Sequence, residues 1–339
     1  MNRTEFLNQL DSALHMLSEN ERLDAATYFD ELIEDKMADR GCTEEEAVAG
    51  LGSVDSVVAA IVEARTEQAG KSAAQPAREH HDAQQEEYGL KTVTVKAASV
   101  RQIFIRARNC PIDIQRGGNE EIILSYMQDE FRQYDFSLEN GELRLTQQPQ
   151  AIISLFGIRQ LFAEKSQVSL TVPAELAAAL DAQTSNSSIH MGGISVWGTL
   201  RLASSNARID ANALSAKAME ITTSNARLTA EGLNAPGPIT LRTSNARLEA
   251  HQVASEDALT LRTSNGKIVF SELSGTGITM HTSNAAVDGS LPHAATHYSA
   301  TSATSNGSNS LKHHAHQGPI PLDVRTSNSA IRVSFAGNA

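Results

Sequence analysis

The sequence has few of the residues that build covalent frameworks, membrane spans or aromatic surfaces. Only 4% of its 339 residues are aromatic, with one tryptophan, and its two cysteines, Cys42 and Cys110, lie in separate regions. Two isolated cysteines argue against a disulfide framework and a thiolate metal site. No apolar run approaches the ~20 residues that span a bilayer, and the first residues lack the pattern of a secretory signal. These absences predict a soluble, cytoplasmic protein and leave peripheral association with a membrane or the cell surface open.

Positive charge is scarce in the first part of the chain. Residues 1–68 hold five Lys and Arg against sixteen Asp and Glu, a net charge of −11, whereas the other 271 residues hold twenty-three against twenty-four. Phosphate groups need the opposite sign, so we do not expect a nucleic-acid partner. An acidic surface favours a basic protein partner. The charge map therefore predicts a protein contact through residues 1–68.

Apolar residues recur at helical spacing through this acidic part, with Phe6 and Leu10 in the first apolar stripe. Two capping-box sequences, SENE at 18–21 and TEEE at 43–46, mark helix starts, because the first side chain can bond the backbone of the fourth residue. The pattern predicts a small bundle of four helices. The polar residues 69–89 cannot bury enough surface to fold, and we expect them to form a flexible linker.

From residue 90 onward the apolar pattern takes the period of two that is typical of β-strands. A Ser-Asn pair then returns eight times, at spacings of 20, 19, 20, 20, 19, 22 and 22 residues. Its asparagines are Asn186, Asn206, Asn225, Asn245, Asn265, Asn284, Asn306 and Asn328. A fixed period of this size predicts a parallel two-sheet β-solenoid over residues 176–339. Residues 90–175 are expected to form its first strands and its cap, including the apolar stretch at 151–162.

The Ser-Asn pairs are predicted to be corners of the coil. Thr243 and Ala246 both belong to inward-facing sets, so the alternation slips between them, and strands permit that only at a turn. Asparagine suits a tight corner because it tolerates the left-handed backbone region. We expect stacked coils to place each asparagine over the preceding one, ~4.8 Å apart, in a hydrogen-bonded asparagine ladder. The run around Asn109 resembles a worn copy of the repeat.

Two exposed sets are candidates for ligand binding. A basic column, two positions after the asparagines, is a candidate for anionic glycans and consists of Arg208, Arg227, Arg247 and Lys267. A weaker candidate for metal binding is the histidine-rich tract of His313, His314 and His316, with His293 and His297 nearby in sequence. We favour a charge-balanced sheet face for the column and an uncommitted loop for the histidines, which lack an accompanying carboxylate pattern. No cofactor is expected.

No nucleophile motif, phosphate-binding loop or metalloprotease helix is present in the sequence. The alternative function is that of a polysaccharide lyase or hydrolase, since such enzymes often use β-helices. They need long loops with clustered carboxylates beside a cleft. Because the coils here have almost constant length, the sequence predicts a protein that is not an enzyme.

Two family resemblances rest on these residues. FLNQL at 6–10, YFDELIEDKM at 28–37 and the EEEA start resemble the HAAS-type helical domain of bacterial signalling and anti-sigma-factor proteins, over residues 4–66. VSLTVP at 168–173 and the repeated TSN resemble the "putative adhesin" β-strand-repeat family, also seen in Lia-type envelope-stress proteins. The resemblances imply a binding or scaffold protein, with a partner-binding regulatory domain and a solenoid for a glycan or envelope ligand. Neither family supplies catalytic residues.

Overall fold

The computed structural model divides the chain into two compact units, one helical and one all β. The residues that the structure describes are 1–17, 22, 25–26, 29–30, 33, 43–59, 61, 89–118, 120–128, 132–148, 167–314 and 316–336. Three predicted features lie outside them: the capping box at 18–21, the linker at 69–89 apart from its last residue, and the apolar stretch at 151–162. Within the described ranges, no helix is long and apolar enough to cross a membrane.

Two helices of the helical unit begin with a capping box. Its helices are α1 (Arg3–Ala13), α2 (Glu44–Ala49) and α3 (54–59), and residues 22, 25, 26, 29, 30 and 33 are helical as well. Thr43 Oγ1 accepts from Glu46 N at 3.3 Å, and Glu46 Oε2 accepts from Thr43 N at 2.9 Å, as the sequence predicts. The bond from the Thr43 backbone holds the pKa of Glu46 below its ordinary value. Asn2 and Glu5 form a second box at α1, which the sequence analysis did not single out.

The core of the helical unit consists of the predicted apolar stripes. Its buried residues are Phe6, Leu10, Leu14, Leu17, Ala25, Phe29, Ile33, Ala47, Val48, Val57 and Ile61. The rings of Phe6 and Phe29 pack edge to face, with centroids 5.9 Å apart. Arg3 pairs with Asp30, and its backbone nitrogen donates to Glu44 Oε1 at 2.9 Å. These contacts confirm the prediction of a small helical bundle.

The second unit is built from strands that begin at the end of the predicted linker. They are β1 (Gly89–Lys96), β2 (Gln102–Arg106), β3 (Ile112–Arg116), β4 (Glu121–Gln128), β5 (Tyr134–Glu139), β6 (Glu142–Gln147), β7 (Val168–Val172), β8 (Glu175–Leu176), β9 (Ala179–Thr184), β10 (Ile189–Ser204), β11 (Ile209–Thr223), β12 (Leu228–Ala235), β13 (Ile239–Arg242), β14 (Leu248–Ser255), β15 (Ala258–Arg262), β16 (Ile268–Ser274), β17 (Gly277–His281), β18 (Val287–Leu291), β19 (Tyr298–Ala303), β20 (Ile320–Arg325) and β21 (Ile331–Phe335).

Two long ladders of hydrogen-bonded strands run through this unit. One has the order β1–β4–β7–β3–β10–β11–β12–β14–β16–β18–β21. The other has the order β5–β6–β2–β9–β10–β11–β13–β15–β17–β20–β19. All of these pairs are parallel except β1–β4, β4–β7 and β5–β6. The prediction of a β-solenoid with coils of about twenty residues is confirmed.

The chain does not follow the coils in order at either end. β3 lies between β7 and β10, and β2 lies between β6 and β9, although all four of these neighbours come later in the chain. At the other end, β20 pairs with both β17 and β19, so the last coil of the sequence lies between its two predecessors. Our expectation that each asparagine lies over the preceding one is therefore wrong for Asn306 and Asn328. The coil around Asn306 has few apolar residues, which suits it to the end of the stack.

Each regular coil also bends at a position that the sequence analysis missed. In β14, Ala250 and Val253 are both buried although they are three residues apart, because Gln252 between them has a φ of +53°. Positive φ values recur at the equivalent position of five coils: Gly193, Ala213, Gly232, Gln252 and Glu272. Glycine is the residue that favours this region, and Ala, Gln and Glu give no such signal.

Candidate functional site

Each residue of the repeated Thr-Ser-Asn corner makes a different kind of hydrogen bond to a neighbouring coil. The threonine is buried, and Thr243 Oγ1 donates to the carbonyl of Ala226 in the preceding coil at 3.1 Å. The serine carbonyl is a double acceptor: Ser224 O accepts from the backbone nitrogens of Ser244 at 3.0 Å and Asn245 at 2.9 Å. The corner thus satisfies backbone groups that a turn would otherwise leave unpaired.

The asparagine side chain links the coils on the outside. Asn245 Nδ2 donates to Asn225 Oδ1 at 2.6 Å, and Asn245 Oδ1 accepts from Asn265 Nδ2 at 2.7 Å. Bonds of 2.6–2.8 Å join the asparagines in the order Asn109, Asn186, Asn206, Asn225, Asn245, Asn265, Asn284, Asn328 and Asn306. Asn109 therefore occupies the corner of a first coil, as its sequence suggests. We call this exposed series of corners the asparagine edge.

The reason that we gave for asparagine at these corners is wrong. None of the ladder asparagines, all of which lie in described ranges, has a positive φ. The left-handed residues of the regular coils lie at the second bend instead. Asparagine is required here because its amide is both donor and acceptor, so that one side chain can bond its neighbours above and below.

The predicted basic column lies beside the asparagine edge. The carbonyls of Arg227, Arg247 and Lys267 accept from Ile209 N, Leu228 N and Leu248 N, at 3.1, 3.1 and 2.9 Å, so these residues stack coil upon coil. Their charges are unequally balanced. Arg208 pairs with Asp210 at 3.3 Å, Arg247 with Glu249 at 3.1 Å and Lys267 with Asp288 at 2.5 Å. Arg227 has no carboxylate partner in the described part of the chain.

Asp288 joins this column to the last strand. It pairs with Lys267 and also with Arg332 of β21, at 3.0 Å. Partial burial would by itself raise the pKa of Asp288, but the hydrogen bonds and charges of Lys267 and Arg332 outweigh it and hold the pKa below its ordinary value. Asp288 is thus an ionised carboxylate that fastens β18 to β21.

A second basic column, which the sequence analysis missed, lies on the other side of the asparagine edge. Its members are three positions before the asparagines and are in register across neighbouring strands: Arg242, Arg262, His281 and Arg325. Arg325 and His281 share Asp323, at 2.7 and 3.0 Å. The repeat RTSN around Asn245, Asn265 and Asn328 is the signal that could have revealed the column.

The histidine-rich tract is not gathered into a metal site. Among the described residues there is no group of three or more His, Cys, Asp or Glu side chains that could hold a metal ion. His314 Nε2 lies 2.9 Å from the carbonyl of Tyr298 and must carry the hydrogen, since a carbonyl only accepts. Its ring packs on Phe335 at 5.5 Å and on His316 at 5.1 Å, while His313 is exposed. Of the three histidines, His314 is thus the one that packs on the last strands of the solenoid.

A polar cavity of about 430 Å³ lies at the β5–β6 hairpin. It is lined by Arg101, Gln102, Ser137, Glu139, Asn140, Gly141, Glu142 and Arg144. Glu139 and Glu142 are cross-strand neighbours in this hairpin, and glycoside cleavage uses a pair of carboxyl groups. However, Glu142 Oε1 accepts from Arg144 Nη2 at 2.5 Å, so an ion pair within the hairpin already engages this carboxylate.

Comparisons with known proteins agree with both resemblances. Residues 100–337 match the family described as Toastrack DUF4097, and residues 5–60 match the family described as HAAS. No curated protein sequence matches the chain. Among solved structures, the chain is similar to a "putative cell adhesion protein" from Clostridium sporogenes, with 9% identity, a TM-score of 0.23 and coverage of 73% of this chain and 99% of that one. That likeness is too weak to carry a functional argument.

Proposed function

Because the chain belongs to the Toastrack DUF4097 family, we propose that it is a non-enzymatic scaffold, with a solenoid that binds a ligand and a helical unit that binds a protein. The asparagine edge carries the proposal for the solenoid. It presents the same exposed corner in coil after coil, and the predicted column of Arg208, Arg227, Arg247 and Lys267 follows it. A repeated surface of this kind fits a repeating anionic ligand such as an envelope glycan.

The helical unit is proposed to bind a basic protein partner. The match of residues 5–60 to the HAAS family supports this role, as does the net charge of −11 over residues 1–68, which hold five basic and sixteen acidic residues. The resemblance of the solenoid to Lia-type proteins supports a place in envelope-stress signalling. The predicted domain limits, at residues 68, 89 and 175, are part of the same proposal.

A capture experiment with the full chain tests the helical contact. Glu45→Gln with Asp55→Asn removes two exposed carboxylates of the helical unit, and Glu231→Gln with Glu256→Gln removes two exposed carboxylates of the solenoid. We expect the first pair to weaken capture of basic proteins several-fold and the second pair to leave it unchanged. Equal losses with both pairs would remove the helical unit from this role.

The enzyme alternative has a separate test at the hairpin cavity. Prolonged incubation of the full chain with polygalacturonate should release no reducing ends or unsaturated products. Cleavage that disappears in Glu142→Gln would replace the scaffold proposal with that of a carbohydrate-active enzyme.

A further inference from the structure

The two basic columns flank the asparagine edge on opposite sides. The residues of one column follow each asparagine by two positions, and those of the other precede it by three. Cations lie on both sides of the edge at Asn245 and Asn265, with Arg242 and Arg262 on one side and Arg247 and Lys267 on the other. Since neighbouring strands are ~4.8 Å apart, these cations are repeated at that spacing along the edge.

Three of these cations are not neutralised by the fold. Arg227, Arg242 and Arg262 have no carboxylate partner among the described residues, although Arg262 Nη2 lies 3.5 Å from His281 Nδ1. All three arginines are exposed. Like charges that are directly opposite on neighbouring strands repel one another. Arg242 and Arg262 are in register in this way, so the middle of the edge holds excess positive charge.

The surrounding threonines explain why the excess falls in the middle. The outward residues beside Arg242 and Arg262 are Thr240 and Thr260, which are in register. The equivalent position is Glu220 in β11, which pairs with Arg201, and Asp323 in β20, which pairs with Arg325. On the other flank, Thr229 stands beside Arg227, where the neighbouring coils have Asp210 and Glu249. On the flank that precedes the asparagines, acids thus neutralise the ends and hydroxyls take their place at the centre, whereas on the flank that follows them a hydroxyl replaces the acid beside Arg227.

We propose that this central part of the asparagine edge binds a linear anionic polysaccharide. Arg227, Arg242 and Arg262 would hold its carboxylate or sulfate groups, because a guanidinium matches such oxygens with two parallel hydrogen bonds. One sugar unit of an extended chain advances by about the spacing of one coil. Each ladder asparagine keeps a second amide hydrogen for sugar hydroxyls, since the ladder uses only one. The inference rests on the proposed ligand-binding role of the solenoid and names its ligand and its residues.

A polysaccharide fits this surface better than a single-stranded nucleic acid does. Proteins bind single strands by stacking bases on aromatic side chains along a basic groove. The asparagine edge and its two flanking columns, all of which are described, contain no Phe, Tyr or Trp. The surface therefore has charges and hydroxyl partners but no stacking platform for bases.

The test measures binding of the full chain to four immobilised polymers by biolayer interferometry. Polygalacturonate carries carboxylates, dextran sulfate carries sulfates, dextran is neutral, and poly(dT) is the nucleic-acid arm. We expect binding to at least one of the two anionic polysaccharides, with weakening as salt is raised. The affinity of the triple variant Arg227→Gln, Arg242→Gln and Arg262→Gln should be lower by a factor of about ten or more, because three charged contacts are lost.

Two control variants separate the site from general charge and from folding. Arg144→Gln with Arg201→Gln and Arg332→Gln removes the same net charge from cations that lie outside the two columns and already have carboxylate partners, and should change the affinity much less. Glu249→Gln frees Arg247 at the centre of the edge and should strengthen binding. A gain of affinity cannot result from an unfolded variant.

Three results would overturn the inference: no binding above that of neutral dextran, equal losses in both triple variants, or tighter binding to poly(dT) than to either polysaccharide. The proposed protein contact of the helical unit is distinct from these outcomes. If capture of a basic partner still depends on Glu45 and Asp55 while no polysaccharide binds, the helical half of the proposed function stands and the polysaccharide inference fails.

Discussion

At the scale of single residues, the Thr-Ser-Asn triplet is a set of three different hydrogen-bonding parts. The sequence allowed the corner and the amide ladder to be predicted, because both depend on spacing and on side-chain chemistry. It did not reveal the bond from Thr243 to Ala226, which joins different coils and depends on their separation. Nor did it show that the ladder asparagines avoid the left-handed region, since residue preference alone does not fix a backbone angle.

The asparagine ladder predicts a specific loss of stability. Asn245→Leu removes the bonds to Asn225 and Asn265 and leaves both partners without their neighbour. We expect the free energy of unfolding in urea to fall by about 2 kcal/mol, near 1 kcal/mol for each bond. Arg247→Ala, on the exposed column, should change it by no more than about 0.5 kcal/mol. Equal unfolding midpoints for the two variants would contradict the role of the ladder.

The buried threonines predict a second effect of similar size. Thr243→Val keeps the shape of the side chain but removes the donor to the carbonyl of Ala226, and should cost about 1–2 kcal/mol. Thr240→Val makes the same chemical change on the outward side of the same strand, where the effect should be within about 0.5 kcal/mol. Urea unfolding of both variants checks the difference. A larger loss in Thr240→Val would refute the assignment of Thr243.

At the scale of elements, alternation identified the strands well and the bends poorly. The alternation predicted from residue 90 onward corresponds to strands β1–β7, of which β2, β6 and β7 bury every second residue. The second bend of each coil was hidden because Ala213, Gln252 and Glu272 are not turn residues. Their left-handed geometry is imposed by the stacked coils, and a single sequence does not show such tertiary constraints.

The second bend predicts a stabilising substitution. Gln252→Gly places glycine at a φ of +53°, where a side chain is strained, and should raise the free energy of unfolding by about 0.5–1 kcal/mol. Gln183→Gly in the extended strand β9 should lower it by about 1 kcal/mol, since glycine weakens a strand interior. Opposite shifts of the two melting temperatures would show the effect. A loss of stability in both variants would show that Gln252 is not strained.

The Asp288 contacts predict how the attachment of β21 depends on pH. A carboxyl whose pKa is lowered in the folded state stabilises the fold above its unfolded pKa, ~3.9, and this stabilisation is lost as the pH falls through the lower folded value. Asp288→Asn should therefore lower stability at neutral pH, and its difference from the parent should shrink in acid. Asp257→Asn, which removes an exposed carboxylate, is the control for urea unfolding across this range. A difference that does not change with pH would exclude the ionised pairs as its cause.

At the scale of the whole molecule, local patterns predicted the kinds of unit but not the order of the coils. β20 and β21 lie between the coil of Asn306 and the rest of the stack, because their buried residues Leu322, Val324 and Ile331 continue the core. A repeat found in a sequence gives the period of a solenoid, whereas the position of each coil depends on which faces are apolar enough to be covered on both sides.

The division into a helical and a β unit predicts where a protease acts first. The sequence at 69–89 is polar, and its Lys71 and Arg78 are trypsin sites between the two predicted domains. Trypsin should cut there before it cuts after Arg242 or Arg262, since those two residues are exposed but lie in strands whose backbone is hydrogen-bonded on both sides. Mass spectrometry of a time course should first show a fragment that begins at Ser72 or Glu79 and contains the whole solenoid. Early cleavage after Arg242 would mean that the β unit opens more readily than its continuous ladders allow.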